Sequence, residues 1–575
     1  MSRPRAEPGA LPPWLWLWAA SLVALTPRLV GDAWTSIVAF HRWVVPPFGL
    51  EPWLQPIFLL FLLLQNLPAL VFLLGIALAL RPGWRAARLE RRFALAPLAG
   101  RGGAVAEIEA FVRAHAPRLE LRANLRRMAP IAFVYPTGLR SARLAVMAGL
   151  VKLWRSDRAS AEAVLLHEIA HQRQGDPAII GIGSLLAPVL RLWPLAILAF
   201  AAVILALDRL LRRELEAFRL AYAVLEETTV EAAPDRVWPI LFDYLADHVW
   251  ILQPSPLGTV LGFALWSLGV VLLPTIAVWC AELAADRLTA ARPAGRDALL
   301  RALDARRAEA GRWRATPAAL GRWVVEAISH PPRPLRRLLV RRADAGLAAL
   351  VIAVLFPLGF LLSGLPILLA AWMSASARGV TSLAAGPFVL ANLPFVLAGI
   401  RWQLLTAAGL MLLWPLLAPW WTRLVAGPLR ALPGRSMAAV AVPGAAMLLA
   451  VLLLDPHAPP VLGERPVAAP PQRGPGPALR VTKKVVAHDE PVRIELWGLD
   501  PAKQNWVAVA GHDWEPERYV DDPAYWTFTT GLAAGVIELN PREPGVWEAR
   551  LYLDWPAGGT VIHSRALFIK DKPPG

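Results

Sequence analysis

The sequence predicts an α-helical polytopic membrane protein with a large polar region between its apolar runs and a small all-β domain at its C-terminal end. Three observations predict it. Hydrophobic residues make up 56% of 575, and several apolar runs approach the ~20 residues that a helix needs to cross a bilayer. Basic segments separate those runs. After residue 479 the pattern changes to short period-two alternations punctuated by Gly, Pro and Asp. A net charge of +16 would suggest nucleic acid as the partner of a soluble chain. Here the arginines cluster beside apolar segments and read as topology determinants on an anionic membrane face, so a lipid bilayer and no nucleic acid is expected. No phosphate-binding Gly loop or nucleophile elbow occurs. The single cysteine excludes an intramolecular disulfide and a Cys-rich metal site.

The elements follow in order. Residues 1–80 hold a transmembrane pair. The first run, Trp14–Thr26, is bounded by Pro13 and Pro27 and preceded by Arg3 and Arg5. A signal peptide has the same outline. The three tryptophans Trp14, Trp16 and Trp18, and the lack of a clear small-x-small site, favour an uncleaved span. Leu54–Leu80 is the second span. Arg81–Pro177 is polar, with 17 Lys/Arg against 8 Asp/Glu. Ala178–Leu207 is a third span, broken by Arg191 and Pro194. Asp208–Pro254 reverses the sign, with 5 Arg against 9 Asp/Glu, which suits the opposite face. The alternative is a second segment on the same face, with Ala178–Leu207 re-entrant. Leu257–Cys280 returns as the fourth span, and Ala281–Gly346 carries 14 Lys/Arg against 7 Asp/Glu. The equal sign of the two basic regions places both on the cytoplasmic side. Leu347–Met373, Val380–Ile400, Leu404–Trp421 and Met437–Leu454 form a bundle over 347–455. Eight simple spans would leave the C-terminus inside, whereas Arg423, Arg430 and Arg435 argue that the loop before the last run is inside, which puts the C-terminus outside. A Pro/Gly-rich linker over 456–479 leads to the β domain, 480–575, where Val492–Leu496 and Val546–Leu553 alternate as strands of a small antiparallel β-sandwich; the stretch Pro544–Tyr552, PGVWEARLY, resembles the last strands of immunoglobulin-like domains appended to bacterial membrane proteins. His488, His512 and His563 lack ligand-like spacing and read as surface residues.

The chemistry sits in Ala163–Pro177, AVLLHEIAHQRQGDP. His167-Glu168-Ile169-Ala170-His171 is an HExxH motif. On a helix, residues four apart share a face, so both imidazoles can reach one metal ion. Glu168 is placed to act as general base on a zinc-bound water. A chance pair of histidines on an amphipathic helix is the plain alternative. Ser160 is the expected N-cap, and Gly175 with Pro177 ends the helix. A catalytic zinc needs a third ligand. Glu282 is the candidate, where an apolar run meets a charged segment; Glu326 is the next carboxylate to consider.

HEIAHQRQGD resembles the HExxH-x-x-x-G-D of HtpX-like membrane zinc peptidases and CAAX prenyl endoproteases. ELAAD resembles the E-x-x-A-D that carries their third ligand, and Ser329-His330-Pro331-Pro332 with Arg336 resembles their HPP…R signature. The resemblance covers about Leu125–Arg342. It implies a gluzincin-like zinc metallopeptidase domain over 81–346 with two embedded spans, one Zn2+ on His167, His171 and Glu282, and peptide or protein substrates, mainly membrane proteins in quality control or processing. It also implies a place in a bacterial cytoplasmic membrane. Ala145–Leu153 resembles the family's strand ahead of the zinc helix, and as an edge strand it would hold an extended substrate; a core strand or helix is the alternative. Asp176 and Asp286 are expected behind the ligands, orienting an imidazole through its other nitrogen. His330 is expected to donate to the oxyanion, or to make a structural turn. Two rivals stand beside this reading. One is a membrane zinc protease that transduces a signal from a C-terminal sensor, as in beta-lactam sensors; the S-x-x-K and K-T-G motifs of a penicillin-binding sensor are absent. The other is a non-catalytic scaffold.

Overall fold

The computed structural model describes residues 11–39, 69–79, 81–97, 102–128, 132–138, 141–179, 186–210, 255–292, 295–310, 328, 330–342, 346–377, 383–425, 438–455, 476–512, 514–518, 520–558 and 561–571. The N-terminal part of the expected second span, most of the acidic segment Asp208–Pro254, Glu326 and most of the Pro/Gly-rich linker lie outside the described residues.

Four described helices are long and apolar enough to cross a membrane, and a bent pair would make a fifth. The first, α1 (Trp14–Ala39), continues through Pro27, which therefore does not bound it. The bent pair is α2 (Ala69–Ala79) with α3 (Pro82–Phe93). The remaining long spans are Pro256–Ala290, Gly346–Ser376 and Arg401–Trp421. Between Ala178 and Leu210 the chain forms α8 (Leu186–Leu210), unbroken at Arg191 and Pro194, although only Leu195–Ala206 is strongly apolar. The expected runs near 385–400 and 438–454 are shorter apolar helices, Ala385–Gly399 and Ala438–Leu453.

The polar insert is built on a four-stranded sheet, order β1-β2-β4-β3, with β1 Ala96–Pro97, β2 Leu119–Asn124, β3 Ala132–Pro136 and β4 Ala142–Met147. One face packs Ala132, Val134, Leu144 and Val146 against α4 (Ala104–His115), α5 (Ala148–Ser156) and α6 (Arg158–Gln174). The other face packs Phe133, Tyr135, Ala145 and Met147 against Ala86 and Leu89 of α3. There Glu90 accepts from the Tyr135 hydroxyl at 2.9 Å and from Arg143 at 2.7 Å. The apolar stretch Ala145–Leu153 is thus not an edge strand. Its first three residues end β4, which is paired on both sides, and the rest begins α5. A short apolar run has no period that separates strand from helix, and here it contains both.

α6 starts one turn earlier than expected. Asp157, not Ser160, is the N-cap, and its carboxylate accepts from the Ser160 N–H at 3.1 Å. Gly175 closes the helix with φ 75°, the left-handed conformation that glycine adopts without a Cβ penalty. The Gly175 carbonyl accepts from the Trp16 indole at 3.0 Å, which ties α1 to the end of α6. A short α7 (Asp176–Ile179) follows.

α9 (Pro256–Ala290) has 35 residues, a length of about 52 Å against a hydrocarbon core of ~30 Å. Its last turns carry the charged residues Glu282, Asp286 and Arg287. Earlier in the helix it packs on α12 (Gly346–Ala377), where a Cβ on Gly269 would come within 2.5 Å of the Ser363 carbonyl. Small residues at such crossings let backbones approach closely. α10 (Gly295–Ala310) and α11 (Arg333–Arg341) then pack around α6 and the charged end of α9. α13 (Ala385–Gly399), α14 (Arg401–Val425) and α15 (Ala438–Leu453) complete the described helices. Trp16 of α1 meets Trp421 of α14 edge-on at 5.5 Å.

The C-terminal strands are β5 (Ala478–Val481), β6 (Val485–Val486), β7 (Val492–Trp497), β8 (Trp506–Gly511), β9 (Trp526–Phe528), β10 (Gly535–Leu539), β11 (Gly545–Tyr552) and β12 (Ile562–Lys570). β5 begins at Ala478, inside the stretch expected as linker. They form two sheets, β10-β7-β5 and β6-β12-β11-β8-β9. Both contribute to one core that includes Ile494, Leu496, Val509, Trp547, Leu551 and Phe568. Trp506 and Trp547 are buried, whereas Trp497 and Trp526 are partly open. His488 and His512 are half-buried rather than on the surface, and His563 is exposed. A fragment beginning at Gly474 should fold alone, because this core is drawn from its own strands. Circular dichroism should show β structure and a cooperative thermal melt; a disordered spectrum would contradict it.

Candidate metal centre and active site

α6 places His167 and His171 one turn apart on one face. Their Nε2 atoms lie 3.1 Å from each other. Glu282, carried in on the charged end of α9, completes the group. Its carboxylate lies 3.4 Å from His171 Nε2 and 3.8 Å from His167 Nε2. One donor atom from each of the three residues lies within 4.8 Å of the others. Among the described residues no other such cluster is found, and none involves the histidines of the C-terminal sheets.

The far side of each imidazole faces a carboxylate. His171 Nδ1 hydrogen-bonds Asp176 at 2.9 Å. His167 Nδ1 lies 3.0 Å from Asp286, although off the line of a hydrogen bond. A ring whose Nδ1–H points at a carboxylate presents the bare Nε2 lone pair to the site. Two Nε2 atoms and a carboxylate then face one point, as the ligands of a metal cation do. A tetrahedral zinc ion with bonds of about 2.0–2.1 Å holds its donors roughly 3.3 Å apart, and the three observed separations bracket that value. The residues fit the ion that the motif implies.

Asp286 is itself buried and clamped. Arg336 of α11 donates to it twice, at 2.7 and 2.8 Å, and approaches Glu282 at 3.7 Å. This fork holds the α9 terminus against α6. His330 also reaches the site, with Nδ1 3.0 Å from a Glu282 oxygen. One nitrogen of the expected oxyanion donor is thus taken by the third ligand candidate.

Glu168, beside His167 on α6, reaches β3, where it accepts from the Val134 N–H at 3.3 Å. Burial pushes its carboxyl above the ordinary carboxylate range, with the two imidazoles pulling the other way. A base with a raised pKa is better matched to taking a proton near neutral pH. The edge of the sheet beside the site is β3, not the stretch expected from the sequence. Val134 acts through its backbone, and a backbone donor leaves no side-chain signal to read. The double grip of Arg336 was equally hidden, since nothing local pairs it with Asp286.

The model of Peptidase family M48 matches residues 103–230. The match takes in β2 to β4, His167, Glu168 and His171, and stops before Glu282 and His330. Over that stretch the expected family is borne out, and the match supports a metallopeptidase. Neither the curated proteins nor the solved structures give a match.

Arg336→Ala should be strongly destabilising, because it leaves Asp286 as an uncompensated buried charge. The expected loss is about 3–5 kcal/mol. A large fall in the melting temperature, with reduced zinc content, is the expected reading from the purified full chain. An unchanged melt would mean that the clamp is not holding α9.

Proposed function

We propose that the protein is a membrane-integrated zinc endopeptidase acting on proteins in or near the membrane, in quality control or processing. One observation carries the reading. Two imidazoles of α6 and a carboxylate of α9 converge beside Glu168, next to the edge strand β3. His167, His171 and Glu282 would hold the zinc. When bound, the ion supplies Lewis acidity, polarising the scissile carbonyl and acidifying water. Asp176 and Asp286 keep the imidazoles turned toward it. Glu168 takes the proton of the attacking water and returns it to the leaving amine. An extended substrate adds to the sheet along the outer edge of β3, which sets the bond to be cleaved beside Glu168. His330 retains Nε2 as the nitrogen able to donate to the oxyanion.

The excess of arginine in both site-bearing regions supports a cytoplasmic site in a bacterial inner membrane. The paired C-terminal sheets support reading residues 480–575 as an immunoglobulin-like sandwich. They also keep open a role for that domain in signalling, with the zinc site as the effector.

Glu168→Gln should cut peptide hydrolysis by roughly a hundredfold or more while zinc content, read by atomic emission, stays at the level of the unmodified chain. Near-normal hydrolysis would sink the assignment of the base. Loss of zinc would show that Glu168 serves the metal instead.

A further inference from the structure

A cavity of about 660 Å³ opens between α4, α5 and the segment that leads into β3. Its lining combines apolar and cationic side chains. Val105, Leu125, Met128 and Val151 contribute the apolar part, and Lys152 and Arg155 the charge. Met128 is 62% exposed, so its side chain is free to contact a ligand in the cavity. Lys152 and Arg155 are exposed, and among the described residues neither has a carboxylate partner. The acidic groups nearby are engaged elsewhere. Glu107 accepts from Arg158 and Trp154, and Asp157 caps α6 and meets Arg301. The lining also includes Gly102 and Val105, on either side of the N-terminus of α4, which has no side-chain cap, so the positive end of that helix adds to the field.

The position of the cavity gives it meaning. In the sheet Ala132 pairs with Val146, so β3 begins where β4 ends. Met128 lies just before β3, and Ala148, also in the lining, just after β4. Val134, which meets Glu168, is two residues into the same strand. At ~3.4 Å per residue, a peptide laid along β3 reaches the cavity within three or four residues of Glu168. The apolar helix α1 meets α6 at the end far from the cavity. α6 meets α1 at Gly175, whereas Arg158 at the other end of α6 meets Glu107 beside the cavity. The 17 residues of α6 separate these ends by about 25 Å.

We propose that this cavity is a specificity subsite for an acidic side chain of the substrate, three or four residues from the bond cleaved. Lys152 and Arg155 pair with the carboxylate, and Met128, Leu125 and Val151 cover its stem. The inference rests on the peptidase reading for the register of the peptide. Its chemistry, an anionic segment held by two unpaired cations, is independent of that reading.

The test uses the full chain in detergent with a fluorogenic peptide series that moves a single Glu, Gln or Lys through four positions on either side of the scissile bond. Glu at one position three or four residues away should raise kcat/KM roughly tenfold over Lys there. The double variant Lys152→Glu with Arg155→Glu should invert that ratio. The ratio is taken within one preparation, so a lower folded fraction leaves it unchanged. No positional preference, or a preference that survives the charge reversal, overturns the subsite. A second arm measures binding of a fluorescein-labelled acidic peptide to Glu168→Gln protein. Binding that the charge reversal abolishes supports the subsite even when no peptide is cleaved, and in that case only the peptidase reading fails. Binding that the charge reversal leaves intact overturns the subsite. Displacement of the peptide by equimolar inorganic phosphate, or binding of anionic vesicles at the same residues, would replace a peptide site with a general anion or lipid site.

Discussion

The buried contact of Asp286 with Arg336 and His167 is the constraint on which the site depends. It joins three segments that are distant in sequence: the C-terminal end of α9, the start of α11 and the middle of α6. A carboxylate removed from water costs several kcal/mol unless it is paired with good geometry. The two-pronged grip of Arg336 provides that pairing, and the third contact lies behind an imidazole that faces the candidate metal position. The same residues that make burial of Asp286 tolerable therefore fix where Glu282, one helical turn before it, can point.

Glu282 and Asp286 ride on the C-terminal turns of α9, a helix long and apolar enough to cross a membrane, so whatever anchors α9 also sets the height of its carboxylates. The Trp16 indole on the Gly175 carbonyl makes a second link, from α1 to the closing turn of α6. Asp176, the partner of His171, is the next residue after Gly175. Movements of α1 or α9 within the bundle would thus be felt at both imidazoles, which gives the apolar helices a part in the site beyond anchoring.

Much of the site was legible because helix geometry is local. His167, Glu168 and His171 follow from a spacing of four, and Gly175 from the need for a left-handed residue after the last turn. Glu282 was legible only through a resemblance, since no local pattern announces a ligand delivered by a different helix. The cap was misread because Asp157 and Ser160 are both good capping residues three apart, and the hydrogen bond between them settles which one leads. The strand-to-helix change at Met147 and Ala148 was missed because the run is apolar throughout. β11 shows the opposite failure. Its alternation suggested one solvated face, yet Glu548 and Arg550 are buried together at 2.7 Å, with Arg550 donating to the carbonyls of Trp514 and Glu515. A loop that covers the outer face of a sheet leaves no mark in the period of the strand beneath it.

The central claim is that two histidines and one glutamate from separate segments hold a single zinc ion. X-ray absorption at the zinc edge of the purified full chain tests it most directly. The account predicts a first coordination sphere of nitrogen and oxygen alone, at about 2.0–2.1 Å, with the multiple-scattering signature of two imidazoles. A sulfur scatterer at about 2.3 Å, a sphere with one imidazole or none, or a chain that binds no zinc would contradict it.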